Sequence, residues 1–175
     1  MLKRLSIKQK MLAGFGLVLL FLLLIAAISI TKMAQIQSNL SMFLEDRMVK
    51  IELCDSVMRN TLEVSIIVRN AIRKTDQADI WISQIDAGRK KNDEALAKLE
   101  SMTRSPEGKD LMTVVNESRN ELATAYDSLY TLLRNNQAAE AYEYLESTFT
   151  PKMSSFQTML ESMVLFQQEQ MKKAK

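Results

Sequence analysis

Arg69 and Arg73 stand four residues apart in Arg69-Asn70-Ala71-Ile72-Arg73-Lys74. On a helix this spacing puts both side chains on one face, with Cβ atoms about 5 to 6 Å apart. Two guanidinium forks so placed can grip one carboxylate each, or both ends of a small dianion. Further along, Ser147, Thr148 and Thr150 precede Pro151 inside an otherwise helical pattern. The proline removes the hydrogen bond to the Ser147 carbonyl and biases Thr150 away from helical geometry, so a kink or brief unwinding is expected over 147–151. Freed carbonyls and the three hydroxyls are then open to an ammonium or hydroxyl group of a ligand. Each feature also has a purely structural reading. Arg73 and Lys74 complement a helix C-terminal dipole, Arg69 forms an internal ion pair, and Pro151 bends a helix to follow bundle curvature. Sequence alone leaves both readings open.

Catalysis is a poor fit to this composition. The chain has no histidine and a single cysteine, Cys54, so no nucleophile–base constellation can be named. The usual ligands for zinc, copper, haem or iron–sulfur centres are missing for the same reason, and neither metal nor cofactor is expected. The carboxylates fall mostly at helix surface positions, where no acid–base pair shares a cleft. Cys54 cannot form an intramolecular disulfide; it reads as a packed small side chain, or as an intersubunit bridge if it lies on a dimer axis. The methionines, among them Met102, Met112, Met153, Met159 and Met163, read as adaptable core filler. Trp81 is expected to pack on the bundle near its distal end, and Asp46-Arg47 to be solvated.

The elements that must position these residues begin with a membrane span. Residues 11–30 carry no charge, and 13 of them are Leu, Ile, Val or Phe. At about 1.5 Å per residue they match the thickness of a bilayer core. Lys3, Arg4, Lys8 and Lys10 precede the span and only Lys32 follows closely, so the positive-inside rule keeps residues 1–10 in the cytoplasm and exports residues 31–175. The apolar run exceeds that of a cleaved signal peptide, despite a small-x-small pattern at Ala27-Ile28-Ser29. Of 23 basic residues, 19 remain beyond these four cations, against 21 acidic ones. This near balance excludes the basic footprint of a nucleic-acid binder.

Gly and Pro are scarce after the span, so the exported part must be built from long helices. Breaks are expected at Thr75-Asp76, where threonine suits an N-cap, at Ser105-Pro106-Glu107, and at Asn135-Asn136-Gln137. Four helices follow, over 31–74, 76–103, 106–135 and 137–174. The third shows a seam of Leu111, Val115, Ser118, Leu122, Ala125, Leu129 and Leu132. The fourth repeats it with Leu145, Phe149, Phe156, Leu160 and Met163, and the second with Ile82, Ile85, Leu96 and Leu99. Short connections force antiparallel neighbours, giving an all-α chain in which a transmembrane helix continues into an up-down-up-down four-helix bundle. The first bundle helix carries two apolar lines, one through Leu44, Met48, Ile51, Met58 and Leu62, the other through Leu53, Val57, Val64 and Val68. One line can face the bundle while the other faces a twin, which makes a homodimer through this helix the expected assembly. Topology also brings Arg134, Tyr142 and Tyr144 to the same distal end as Arg69 and Arg73.

Ile7-Lys8-Gln9-Lys10 leads into Leu12-Ala13-Gly14-Phe15-Gly16, a leucine-rich span and a four-helix pattern. Over essentially its whole length the chain resembles the N-terminal half of methyl-accepting chemotaxis proteins of the four-helix-bundle class. The bundle pattern is shared with exported sensors of membrane histidine kinases, and a structural bundle that binds another protein is the third reading. The resemblance implies a sensor in the bacterial inner membrane that binds a small carboxylate or amino acid between two subunits. By position, Arg69 matches the arginines such sensors carry late in the first helix, and Tyr144, Thr148 and Thr150 match polar groups early in the fourth. Arg59 lies ten residues before Arg69, about 15 Å along the axis, so the compact arginine trio of aspartate receptors is not reproduced. The chain stops in Gln170-Met171-Lys172-Lys173-Ala174-Lys175 without a capping residue. A second span, a HAMP relay and a methylated hairpin are expected beyond it, and a cytoplasmic histidine kinase and adaptor would be engaged only through that part.

Overall fold

The computed structural model describes residues 7–41 and 46–173, and falls into two compact units, Met1–Phe43 and Leu44–Lys175. Lys3, Arg4 and Leu44 lie outside the described residues. The first unit is one helix, α1 (Ile7–Ser41). Within it Gly14–Gln37 is long and apolar enough to cross a membrane, with a mean hydropathy of 2.6. Its span starts and ends later than the expected 11–30 because Met33 and Ile36 extend the apolar run. The single helix expected over 31–74 is described only as α1 up to Ser41 and again from a π turn at Asp46–Met48 that leads into α2 (Val49–Arg73).

The second unit continues from α2 through a 3-10 turn (Thr75–Gln77) to α3 (Ala78–Met102), α4 (Pro106–Arg134) and a fourth rod. That rod is α5 (Ala138–Tyr144), a π-helical segment (Leu145–Phe149) and α6 (Thr150–Lys173). α2 packs on α3 and on the fourth rod, and α4 on the same two, which closes a four-helix bundle. The register is antiparallel: Asp79, Asp86 and Asp93 of α3 meet Arg134, Tyr130 and Arg119 of α4 in turn.

Burial follows the helical period. Val57, Val64 and Val68 of α2 face inward, so the second of the two apolar lines is the core line, while Met48 and Leu62 of the first are exposed. Ile82, Ile85, Leu96 and Leu99 are buried, as are Leu145, Phe149, Phe156, Leu160 and Met163. On α4 the central seam from Val115 to Leu129 is buried, but at its ends Met112 and Leu133 replace Leu111 and Leu132, which are half-buried. A straight helix drifts against a seven-residue repeat by about 20° per heptad, enough to swap neighbours at the ends. Met112, Met153 and Met163 fill the core, and Trp81 packs half-buried against it.

Two junctions show how the sequence sets the ends. Ser105 caps α4, its Oγ accepting from the Gly108 N–H at 3.2 Å, with Pro106 at the first helical position. After α4, Asn136 adopts φ 58°, and the Gln137 and Asn136 N–H groups donate to the Leu132 and Leu133 carbonyls at 3.0 and 3.1 Å. This is a Schellman stop. Thr75 is not the expected N-cap. Its hydroxyl donates to Asn136 Oδ1 instead, tying the two turns at this end together, and α3 starts without a side-chain cap. Asp46 keeps its side chain about half exposed while pairing at 2.7 Å with the nearly buried Lys50, and Arg47 is half-buried rather than solvated.

Candidate functional site

The fourth rod departs from α-geometry over 145–149, two residues ahead of the 147–151 that Pro151 predicts. Because Pro151 has no N–H, a carbonyl one turn earlier loses its donor, and the helix answers by widening: the Thr150 N–H donates to the Leu145 carbonyl, five residues back. It does not unwind. Thr150 keeps φ −60° and ψ −46°, against the expected shift to extended geometry. Its Oγ1 is nonetheless buried with no hydrogen-bond partner among the described residues. Thr148 is half-buried, with its Oγ1 3.4 Å from Ser147 Oγ. Tyr144 packs half-buried on the core, whereas Tyr142 is exposed.

Arg69 reaches this segment. Its Nη2 lies 4.0 Å from Glu146 Oε1, with the two side chains 44% and 50% exposed. The guanidinium therefore sits on an open wall rather than at the buried seam, because Val68, Ala71 and Ile72 occupy the inward positions around it. Arg73, one turn on, is exposed and has no ion-pair partner among the described residues. Leu62 and Ile66 are 50% and 59% exposed and continue the same face of α2, three to four residues apart from one another and from Arg69. Arg134 goes elsewhere: its Nε donates to Asp79 Oδ1 at 3.2 Å, on the α3–α4 side. The structure thus brings Arg69 to the π segment and leaves Arg134 committed to another wall.

Sequence reasoning missed a second arginine. Arg89 on α3 lies over the Tyr126 ring at 4.8 Å and the Tyr130 ring at 5.8 Å. Its Nη1 donates to Asp86 Oδ1 at 3.2 Å and to Tyr130 Oη at 3.4 Å, while the Tyr130 hydroxyl donates to Asp86 at 2.7 Å. Burial opposes the Arg89 charge, yet Tyr130 and the carboxylates of Asp86 and Asp127 outweigh it and raise its pKa. Burial also raises Tyr126 and, with the Asp86 hydrogen bond, Tyr130, so both stay protonated. Tyr126 carries Phe149 on its other side, ring centroids 4.8 Å apart at 78°. The cluster therefore touches the π segment through the core. The signal for it was Tyr126 and Tyr130 one turn apart beside the α4 seam, opposite Asp86 and Arg89 three apart on α3.

Among the described residues no three His, Cys, Asp or Glu side chains gather to hold a metal. What the geometry offers is a half-exposed, loosely held guanidinium beside hydroxyls and a widened helical turn, suited to holding an anion. A family model described as a four helix bundle sensory module for signal transduction matches residues 4–175, the apolar helix together with the bundle. The chain belongs to this family and is the sensory module of a transducer of the methyl-accepting chemotaxis type, with its N-terminal apolar helix as candidate membrane anchor. It is a signalling module rather than a catalytic domain. A search of curated proteins finds no match.

Proposed function

We propose that the bundle is a chemoreceptor sensor for a small carboxylate, an organic acid or an amino acid, held between Arg69 and Arg73 of α2 and the Tyr144–Thr150 stretch of the fourth rod. The observation that carries this reading is the Arg69–Glu146 pair: at 4.0 Å and half exposed it is weak enough to be exchanged for a ligand carboxylate. The exposed Leu62 and Ile66 on the same face support a homodimer through α2, with the ligand near the two-fold axis. The four cations before the apolar span support an N-terminus in the cytoplasm of a bacterial inner membrane and a bundle outside it. The signal then leaves by a displacement of the fourth rod against α2, of the order of 1 to 2 Å, between two packed arrangements that the ligand contacts differently. A kinase and its adaptor are reached only through a signalling domain beyond residue 175.

A thermal-shift screen of organic acids and amino acids tests this, since a ligand at about 100 times its Kd adds about 2.7 kcal/mol of stability. The hit should lose about tenfold or more of its affinity in Arg69→Ala, roughly 1.4 kcal/mol or above. Undiminished binding in that variant would place the ligand elsewhere.

A further inference from the structure

Of the four neighbouring helix pairs, α3 and α4 pack least closely. The contrast with α2–α3 has a local cause. There Gly88 lets the helices close up, since a Cβ at that position would run into Val64 Cγ2, and Asn60 bridges to the Gly88 carbonyl and Asn92 at 2.7 Å each. Between α3 and α4 stand arginines and the small Ala123, leaving a small, open cleft of about 70 Å³. Its floor is apolar, from Leu96, Leu122 and Phe156, and its charged lining is Arg89, Arg119 and Asp93, with Asp86 and Asp127 beside Arg89.

Arg119 is spent: its Nε and Nη2 both lie on Asp93 Oδ1, at 2.9 and 2.7 Å. Arg89 is not. All its polar contacts, to Asp86, Tyr130 and Asp127, run through Nη1. Nε and Nη2, the edge that takes a carboxylate with two parallel bonds, have no protein partner among the described residues and are not sealed from solvent. Its position over Tyr126 and Tyr130 and its bonds through Nη1 restrain the Arg89 side chain in advance, so less entropy is lost when an anion docks.

We propose that the α3–α4 cleft binds a small monocarboxylate with an apolar body, of which benzoate is the simplest probe. The carboxylate lies on Nε and Nη2 of Arg89 and the ring on Leu96, Leu122 and Phe156. This site sits within one protomer and shares no residue with the Arg69 site. It also has a route to the fourth rod, because Tyr126 bears on Phe149 of the π segment.

Isothermal titration of benzoate into the full chain in detergent micelles tests the assignment, with benzamide as the uncharged control. Benzoate should bind at a single site per chain, benzamide about tenfold or more weaker, and Arg89→Gln should weaken benzoate by a similar factor. Arg89→Lys should recover only part, since an ammonium lacks the planar fork. Should Arg89→Gln fail to fold, Ala123→Leu fills the cleft from a half-buried position and should abolish benzoate binding with an unchanged helical signal. No heat with millimolar benzoate, or binding that survives Ala123→Leu undiminished, overturns the assignment and leaves Arg89 as a structural brace.

Discussion

Arg69, on the wall that α2 shares with the fourth rod, stands 4.0 Å from one carboxylate with both partners about half exposed. Arg89, on the wall between α3 and α4, has a side chain 27% exposed, lies over two tyrosine rings and shares Asp86 with Tyr130. Both are arginines beside an acid on a four-helix bundle, yet the physics differs. In water the first pair contributes little and can be exchanged. The second gains from the ring quadrupoles and from a hydrogen-bond network whose members would be left unpaired without it, which together outweigh the cost of burying its charge. The residue type alone therefore does not say how an arginine would meet an anion: Arg69 does so by exchanging its partner, Arg89 through the edge that its partners on Nη1 leave open.

Phe149 joins the two walls, since it belongs to the π segment beside Arg69 and packs edge-on against Tyr126 beneath Arg89. It is fully buried. Phe149→Ala should cost about 3 to 5 kcal/mol in urea denaturation, the largest effect expected of any change here. A cost below about 1 kcal/mol would mean that the site collapses around the gap and that the walls are independent.

A smaller effect separates the walls themselves. Arg89→Ala should cost about 1 to 3 kcal/mol, because it strips a cation from two rings and leaves the Asp86–Tyr130 pair without its charge partner. Arg69→Ala should change stability by no more than about 0.5 kcal/mol. Equal costs, read from the same denaturation curves, would erase the distinction drawn between an exchangeable and a built-in cation.

What the sequence made legible was local or periodic. The Ser105-Pro106 start of α4 and the central α4 seam need only contacts within one helix or one face, and both are where spacing puts them. Pro151 located the irregular stretch to within two residues but not its form, because whether a helix unwinds or widens depends on how tightly Leu145 and Phe149 are held in the core on either side. The Arg89 cluster was invisible for a different reason. Arg89 and Tyr130 are 41 positions apart, and their meeting depends on the register of α3 against α4, which the single sequence leaves free. Whether Arg69 formed an internal ion pair or stood open to a ligand was not legible either, since one residue along a helix is about 100° of rotation, the difference between Val68 inside and Arg69 outside.

The smallest effect tests whether the inward face of α2 is as sealed as its outward face is open. Cys54 is fully buried in the core, and burial, helped by the charge of Asp55, pushes its thiol up to about 12 from an ordinary value of 9.0. An acid whose folded pKa is raised stabilises the fold below the unfolded pKa and loses that contribution as pH climbs toward the folded value. The window is therefore pH 9 to 12, and the loss at pH 9 itself is only about 0.4 kcal/mol, one factor of two in the unfolded thiol's ionisation. Tyr126 and Tyr130 are raised as well and add to the loss from about pH 10 upward. Thermal unfolding followed from pH 7 to 10 should fall more steeply in the parent than in Cys54→Ala, and the thiol should react with a maleimide only in denaturant. Rapid labelling of the native chain at pH 8, with no difference in slope between parent and variant, would show that the inner face of α2 opens to water, and the contrast between its two faces would not stand.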